Sequence, residues 1–437
     1  MKRVLFLATT TGYQTRTFGD AAARLGVQLV FATDCCDQLE DPWWDSAIPI
    51  RFHQERTTVD VIMRALERTP VDGVLAVGDR ATVIAAFVAR LLGLPGHPPE
   101  AAAAARDKRL TRERLRAGRL PVPSFTAVPL TADARAIART TTYPCVLKPL
   151  VLSGSRGVMR ADNETQFVSA FDRLQILLNA PDVRAMRDAA ADVIQIESFV
   201  PGREYALEGL MHHGELQTLA IFDKPDPLDG PFFEETLYVT PSRAPEVVQQ
   251  DVRKAVSQAA RALGLHHGPV HAECRVNAEG VYVLEVAARP IGGLCARSLA
   301  FEGSHGRIGL EELLLRHALG ESPAAWVRQP QASGVMMIPI PRAGVYRRVE
   351  GVDRARAVPG IAAVEITAKP DQQLVPLPEG ASYLGFIFAT GDTPAGVERA
   401  LRTAHEHLHF VIDREIKVQG FKSSKGSSVR EPLNREP

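Results

Sequence analysis

Tyr143-Pro144-Cys145-Val146-Leu147-Lys148-Pro149, with Ser153-Gly154-Ser155-Arg156-Gly157-Val158 close behind it, decides how the rest of this chain reads. The first segment is an apolar run ending in lysine and predicts a β-strand. The second predicts a loop of small residues. Glycines there let backbone N–H groups turn inward, and a strand-end lysine adds a compact positive charge, so the pair suits phosphate oxygens. No Gly-Lys-Ser/Thr follows, so this is not a Walker A loop. The alternative is an ordinary hairpin. Lysine is scarce: only nine of the 51 Lys and Arg residues are lysines, and Lys108, Lys148 and Lys224 are the only three between Lys2 and Lys254. In an arginine-rich chain, a lysine marks a place where a point charge serves better than a planar guanidinium.

Downstream, two acidic residues sit on strand patterns. Glu273 lies in Val270 to Val276, and Glu285 ends Val281-Tyr282-Val283-Leu284-Glu285, with a turn at Asn277-Ala278-Glu279-Gly280 between them. Neighbouring antiparallel strands can present both carboxylates on one face, where they offer hard oxygen ligands to a divalent cation. Arg289, in Ala288-Arg289-Pro290-Ile291-Gly292-Gly293, is close enough in sequence to reach the same place. The alternative is a pair of solvated hairpin carboxylates.

Further outward, residues 1–105 alternate strand-like and helix-like segments. Val4 to Ala8, Val27 to Ala32 and Val71 to Gly78 are apolar runs; Phe18 to Gly26 and Ala81 to Leu92 have helical spacing. This predicts a Rossmann-like α/β domain with a parallel sheet. No G-x-G-x-x-G follows the first strand, so no dinucleotide site is assigned. One helix is expected from Pro99 to Ala117, stopped by Gly118, Pro121 and Pro123. A mixed α/β region spans 106–328, and a smaller α+β unit spans 329–416, with Thr393-Pro394 as a helix start. Residues 417–437 lack periodicity and are expected to form a disordered tail.

The 437 residues suffice for several domains, and 45% hydrophobic residues exclude global disorder. Lys plus Arg equals Asp plus Glu at 51, which argues against a general nucleic-acid or membrane-surface binder. The longest apolar stretch, near Ala81 to Leu94, is broken by Arg90 and is too short for a membrane span. Met1 to Ala8 reads as a first strand, not a leader, because its apolar core ends at Thr9. Five scattered cysteines, with Cys35 and Cys36 adjacent and poorly placed to pair, fit reduced thiols and a cytoplasmic setting. His266, His267 and His271 sit on a loop and strand start without an obvious fourth ligand, so no zinc is assigned to them.

The ordered set of motifs resembles the ATP-grasp superfamily of carboxylate–amine ligases, and within it the L-amino-acid ligases that join two amino acids using ATP. The resemblance runs from the N-terminal domain to about residue 415. It rests on Gly93-Leu94-Pro95-Gly96, Arg106-Asp107-Lys108-Arg109, Leu120-Pro121-Val122-Pro123, the Lys148 strand and its loop, Glu197-Ser198-Phe199-Val200-Pro201-Gly202-Arg203-Glu204-Tyr205, and Glu273, Glu285 and Arg289. It implies an ATP-grasp fold over 106–328 with a lid at about 141–200. It implies that Lys108 and Lys148 contact ATP phosphates together with Ser153, Gly154 and Ser155, and that Glu197, Ser198, Phe199 and Val200 form the adenine hinge. Glu204 would hold the ribose, Lys224 a further phosphate, and Glu273 and Glu285 the metal, Mg²⁺ or alternatively Mn²⁺. Arg289 would steady an acyl-phosphate, and Glu235 would meet a substrate ammonium.

Two departures stand out. Ala287 occupies a position where many relatives have Asn, which removes one oxygen ligand, and Tyr238 stands where some relatives have His. The implied reaction joins a carboxylic acid to an amine through an acyl-phosphate, releasing ADP and phosphate. The partners expected are small molecules, with neither nucleic acid nor membrane, and a homodimer. The competing expectations are a biotin-carboxylase-like enzyme using bicarbonate and an ATP-binding sensor without turnover.

Overall fold

The computed structural model describes residues 1–9, 14–34, 47–304 and 306–414. The expected tail and the Cys35-Cys36 pair lie outside the described residues.

The N-terminal segments fold as their alternation predicts. Arg3–Ala8, Gln28–Thr33 and Gly73–Val77 form a parallel sheet in which the first strand lies between the other two, and Ile48–Pro49 extends one edge. Parallel strands need crossovers, supplied here by Thr15–Leu25 and Glu55–Leu66. The carboxyl end of Gly73–Val77 leads straight into Gly78 and Asp79, the kind of edge where open α/β sheets place ligands.

The expected helix from Pro99 to Ala117 is two helices, Pro99–Arg106 and Lys108–Ala117. Asp107 breaks it. Its backbone is extended, and its carboxylate accepts the N–H groups of Arg109 and Leu110, so a new helix starts there. The break sets Lys108 at a helix start rather than mid-helix.

Two further sheets build the central region. Phe125–Pro129, Val193–Ser198, Cys145–Pro149 and Met159–Ala161 make an antiparallel sheet in that order. The helix Glu164–Leu178 closes it with its own core, in which Phe167, Phe171 and Leu174 pack against Leu147 and Ile194. The larger sheet has eight strands, in the order Gly280–Ala287, Gly268–Asn277, Arg203–His212, Glu215–Asp223, Leu237–Thr240, Ala332–Ile338, Gly385–Gly391 and Ile361–Ile366. The Leu237–Thr240 and Ala332–Ile338 strands pair, so the C-terminal strands continue this sheet without a break. One face packs against the N-terminal sheet and the helix Leu310–Ala318, with Phe6, Phe222, Leu310 and Phe386 in a shared core. The other face packs on Glu246–Leu263 and the two helices around Asp107. Near the C-terminus, Thr393 caps Pro394–Glu406 through Gly396 N–H, as its Thr-Pro start predicts.

Candidate active site

A cavity of about 370 Å³ opens where the three main sheets meet. Every residue to which the family resemblance gives a role in the site lines it except Lys224. Lys148 closes the end of Cys145–Pro149, and the Ser153-Gly154-Ser155 turn follows. Gly154, Ser155 and Gly157 all have positive φ (62°, 57° and 78°), a run of left-handed backbone that glycine adopts freely and serine does not. Lys108 lies against this loop, its ammonium donating to the Leu152 carbonyl at 2.9 Å.

The buried centre of this wall is Glu197. Its carboxylate accepts from Lys148 Nζ at 2.6 Å and Gln195 Nε2 at 2.6 Å, and pairs with Arg112 Nε at 2.9 Å. Burial opposes the charge, but the Arg112 and Lys148 charges outweigh it and hold the carboxyl down to about 2. Glu197 therefore orients Lys148 from behind rather than facing the cavity with a free carboxylate. The neighbouring amides are also engaged: Ser198 N–H donates to Ser124 and Phe199 N–H to Pro144. The Val200 carbonyl accepts from Arg275.

The acidic wall comes from the large sheet. Glu273 and Glu285 stand directly opposite each other on paired antiparallel strands, which puts both side chains on one face. Burial disfavours the Glu273 charge, but Lys224 and then His271 outweigh it and hold the group well below its usual range. Lys224 is tied behind this wall, with Nζ 2.8 Å from Glu204, 2.6 Å from Glu235 and 2.9 Å from Glu273. This ammonium is a buried counter-ion for three carboxylates. Burial and the Glu273 charge push Glu235 up. Tyr238 donates to Glu235 at 3.0 Å and lies 3.3 Å from Glu273, so the residue standing in a His position is part of this network. Glu204 also accepts from Arg275 at 2.9 Å.

Three functional neighbours escape sequence reasoning. Asp79, from the N-terminal domain, accepts from Arg289 Nε at 2.8 Å, while Glu285 lies 4.0 Å from the same guanidinium. His271 is held between Glu208 at 3.0 Å and Glu273 at 3.8 Å, and Glu208 also accepts the Ile291 N–H. Arg112, four residues after Lys108, is fully buried under Glu197. A signal existed for Asp79, at the carboxyl end of a parallel strand; none existed for the others.

The donor set fits a divalent cation. Two facing carboxylates, Glu273 and Glu285, offer the hard oxygens that would hold such an ion, and Ala287 offers none. Chemically, the cavity sets two lysines and a glycine loop against two carboxylates, with a guanidinium at one end.

Comparisons with known proteins bear on the domains that build this cavity. Residues 141–298 match the model of the ATP-grasp domain, 19–96 the ATP-grasp N-terminal domain, and 336–413 the L-amino acid ligase C-terminal domain 2. The chain is 25% identical over 426 residues to an uncharacterized protein of Sinorhizobium fredii, spanning 94% of this chain and 84% of that one. It is 28% identical over 235 residues to the alanine–anticapsin ligase of Bacillus subtilis, covering 51% of this chain and 49% of the ligase, about half of each. The crystal structure of an L-amino acid ligase from Bacillus licheniformis shares the fold, with a TM-score of 0.77 and 24% identity over 95% of this chain and 99% of that one.

Proposed function

The chain belongs to the ATP-grasp superfamily and carries the C-terminal domain of the L-amino acid ligases; on that premise we propose that it joins an amino acid or related carboxylic acid to an amine, forming an amide with release of ADP and phosphate. The observation that carries this reading is the single cavity shared by Lys108, Lys148, the Ser153–Ser155 turn, Glu273, Glu285 and Arg289. The substrate carboxylate oxygen attacks the γ-phosphorus of ATP, and the bond to the ADP oxygen breaks. The ammonium first loses one proton to solvent; the amine nitrogen then attacks the acyl carbon, the carbon–oxygen bond to phosphate breaks, and the departing phosphate takes the second proton.

Carboxylate and triphosphate repel each other, so the site must neutralise charge as it moves. Lys108 and Lys148 take the phosphates with the loop amides, and Glu197 fixes Lys148 in place. Glu273 and Glu285 would hold a divalent cation, Mg²⁺ or alternatively Mn²⁺, which supplies positive charge at the phosphates when bound. Arg289, aimed by Asp79, steadies the acyl-phosphate. The Glu197–Val200 segment borders the adenine, Glu204 the ribose, and Glu235 with Tyr238 receives the amine as ammonium. Lys224 serves by setting the positions and charges of Glu204, Glu235 and Glu273. Residues 141–200 act as a lid that keeps water from the acyl-phosphate. Arg156 and Gly157 N–H reach the Glu379 and Pro378 carbonyls, so this segment closes against the 376–380 loop.

The test is isotopic. With an acid substrate labelled with ¹⁸O in its carboxylate, one label should appear in the released phosphate for each amide formed. Amide formation with unlabelled phosphate would rule out the acyl-phosphate route.

A further inference from the structure

A second group of ligand-type side chains lies at the opposite end of the strands that carry Glu204 and Glu273. His212 ends Arg203–His212, His267 directly precedes Gly268–Asn277, and His317 lies in the helix Leu310–Ala318. Eight residues of strand separate His212 from Glu204, a distance of ~26 Å at ~3.3 Å per residue. One ring nitrogen from each of the three histidines lies within 4.8 Å of the others. We propose that His212, His267 and His317 form a binding site for a borderline divalent transition-metal ion such as Zn²⁺, distinct from the carboxylate site for the ATP-bound cation.

Geometry carries the assignment. His212 Nδ1 and His317 Nε2 are 3.2 Å apart. Two nitrogens on a tetrahedral zinc at ~2.0–2.1 Å each would stand ~3.4 Å from one another, so this pair is already spaced as ligands. His267 is 3% exposed, and its Nδ1 is buried without a hydrogen-bond partner. An orphaned buried nitrogen is unusual in a folded protein and is what an ion would satisfy. The His267 ring stacks on His317 with centroids 4.0 Å apart and planes 9° from parallel. A cavity of about 40 Å³ lined by His97, His267 and His317 among apolar side chains adjoins two of the three rings.

Ligand chemistry points the same way. The three side chains are all imidazoles, which bind a metal ion through a ring-nitrogen lone pair when neutral. A set of nitrogens with neither carboxylate nor thiolate suits Zn²⁺, Co²⁺, Ni²⁺ or Cu²⁺ and not Mg²⁺. The exposed His213 has its ring centroid 4.4 Å from His212 and 5.2 Å from His267 but stands outside the three-nitrogen group, so water would take the fourth position of a tetrahedral ion. His97 is spent on Pro269 and on the His266 N–H. Bound there, the ion would tie a hairpin end, a strand start and a helix into one unit.

The test uses the full chain, stripped of transition metals and kept in excess Mg²⁺ so that the carboxylate site is filled. Titrated with Co²⁺, it should take up one ion per chain with the intense visible absorption of tetrahedral nitrogen coordination, and Zn²⁺ should displace it. His212→Gln and His317→Gln should each weaken Zn²⁺ binding at least ~100-fold, while far-ultraviolet circular dichroism confirms the fold. Since His317 is buried, the partly exposed His212 keeps the test decisive if His317→Gln does not fold. Absence of stoichiometric uptake by the wild-type chain, an octahedral Co²⁺ spectrum, or unchanged Zn²⁺ affinity in His212→Gln would overturn the assignment. None of these readouts depends on the ligase reading being right.

Discussion

Replacing Glu197 by Gln removes one negative charge from a site where Arg112 is fully buried and the Lys148 side chain is 12% exposed. The carboxyl sits at about 2 against an ordinary 4.5. At ~1.4 kcal/mol for each tenfold change in its proton equilibrium, the folded state gains ~3 kcal/mol from its ionisation. The same magnitude, ~3–5 kcal/mol, is typical of removing one partner from a buried ion pair, because the other charge is left uncompensated. In a unit of 150–250 residues this lowers the thermal midpoint by ~6–12 °C. The pH dependence has a fixed sign. A carboxyl whose folded value is depressed stabilises fully above its unfolded value, so the gap between wild type and Glu197→Gln should be constant near neutrality. It should shrink as pH falls below 4.5 and continue to close toward 2. Thermal unfolding by circular dichroism at several pH values reads this directly. A midpoint within ~1 °C of wild type at pH 7, or a gap that widens in acid, would refute the reasoning. Because Lys148 loses its anchor, nucleotide affinity measured by calorimetry should fall in the same variant.

Other outcomes follow from the same geometry. Asp79→Asn releases Arg289 without touching the phosphate loop and should lower kcat ~10–100-fold with the KM for ATP within ~2-fold; equal losses in both would place Asp79 in nucleotide binding instead. Gly157→Ala puts a Cβ 3.0 Å from Leu174 and Leu177 at a φ of 78°, whereas Gly154→Ala meets nothing within 4 Å at a φ of 62°. Both should weaken ATP binding through the left-handed strain of ~1–2 kcal/mol, and Gly157→Ala more; calorimetry that ranks them the other way would show that the loop relaxes. Arg173→Ala breaks a bidentate pair with Glu379, but both side chains are more than a third exposed, so the cost should stay below ~1 kcal/mol. A larger loss in urea unfolding would mean that the 376–380 loop supports this segment more firmly than one exposed pair allows.

Much of the fold is written locally. The apolar run Val4 to Ala8 is a parallel strand buried on both faces, and Val281 to Val286, with Tyr282 and Glu285 interleaved, is a half-buried edge strand. The hairpin that carries Glu273 and Glu285 is legible from its turn, but their facing is not: a β-bulge beyond the Cys274–Val283 pair shifts the register and sets Glu285, instead of Leu284, opposite Glu273. What stayed hidden depends on long-range closure. Asp79 and Arg289 are 210 residues apart. Leu237–Thr240 is four residues long and carries no sign that its partner is Ala332–Ile338. Asp107 looks like one more polar residue within a helical pattern, and only its capping bonds show the break. The histidines are the sharpest case. Spacing groups His266, His267 and His271, but four residues along an extended chain set His271 beside Glu208 and Glu273, while His267, just before the strand, meets His212 and His317 from two other elements.

The central claim is that one cavity couples ATP cleavage to amide formation. Its most direct measurement is ADP release from MgATP across single and paired amino acids and related acids and amines, with the product mass read in parallel and Glu285→Ala as control. The account predicts ADP and a new amide in equal amounts only with particular acid–amine pairs, and neither from a folded Glu285→Ala protein. Steady ADP release without any amide, or full activity in Glu285→Ala, would contradict it.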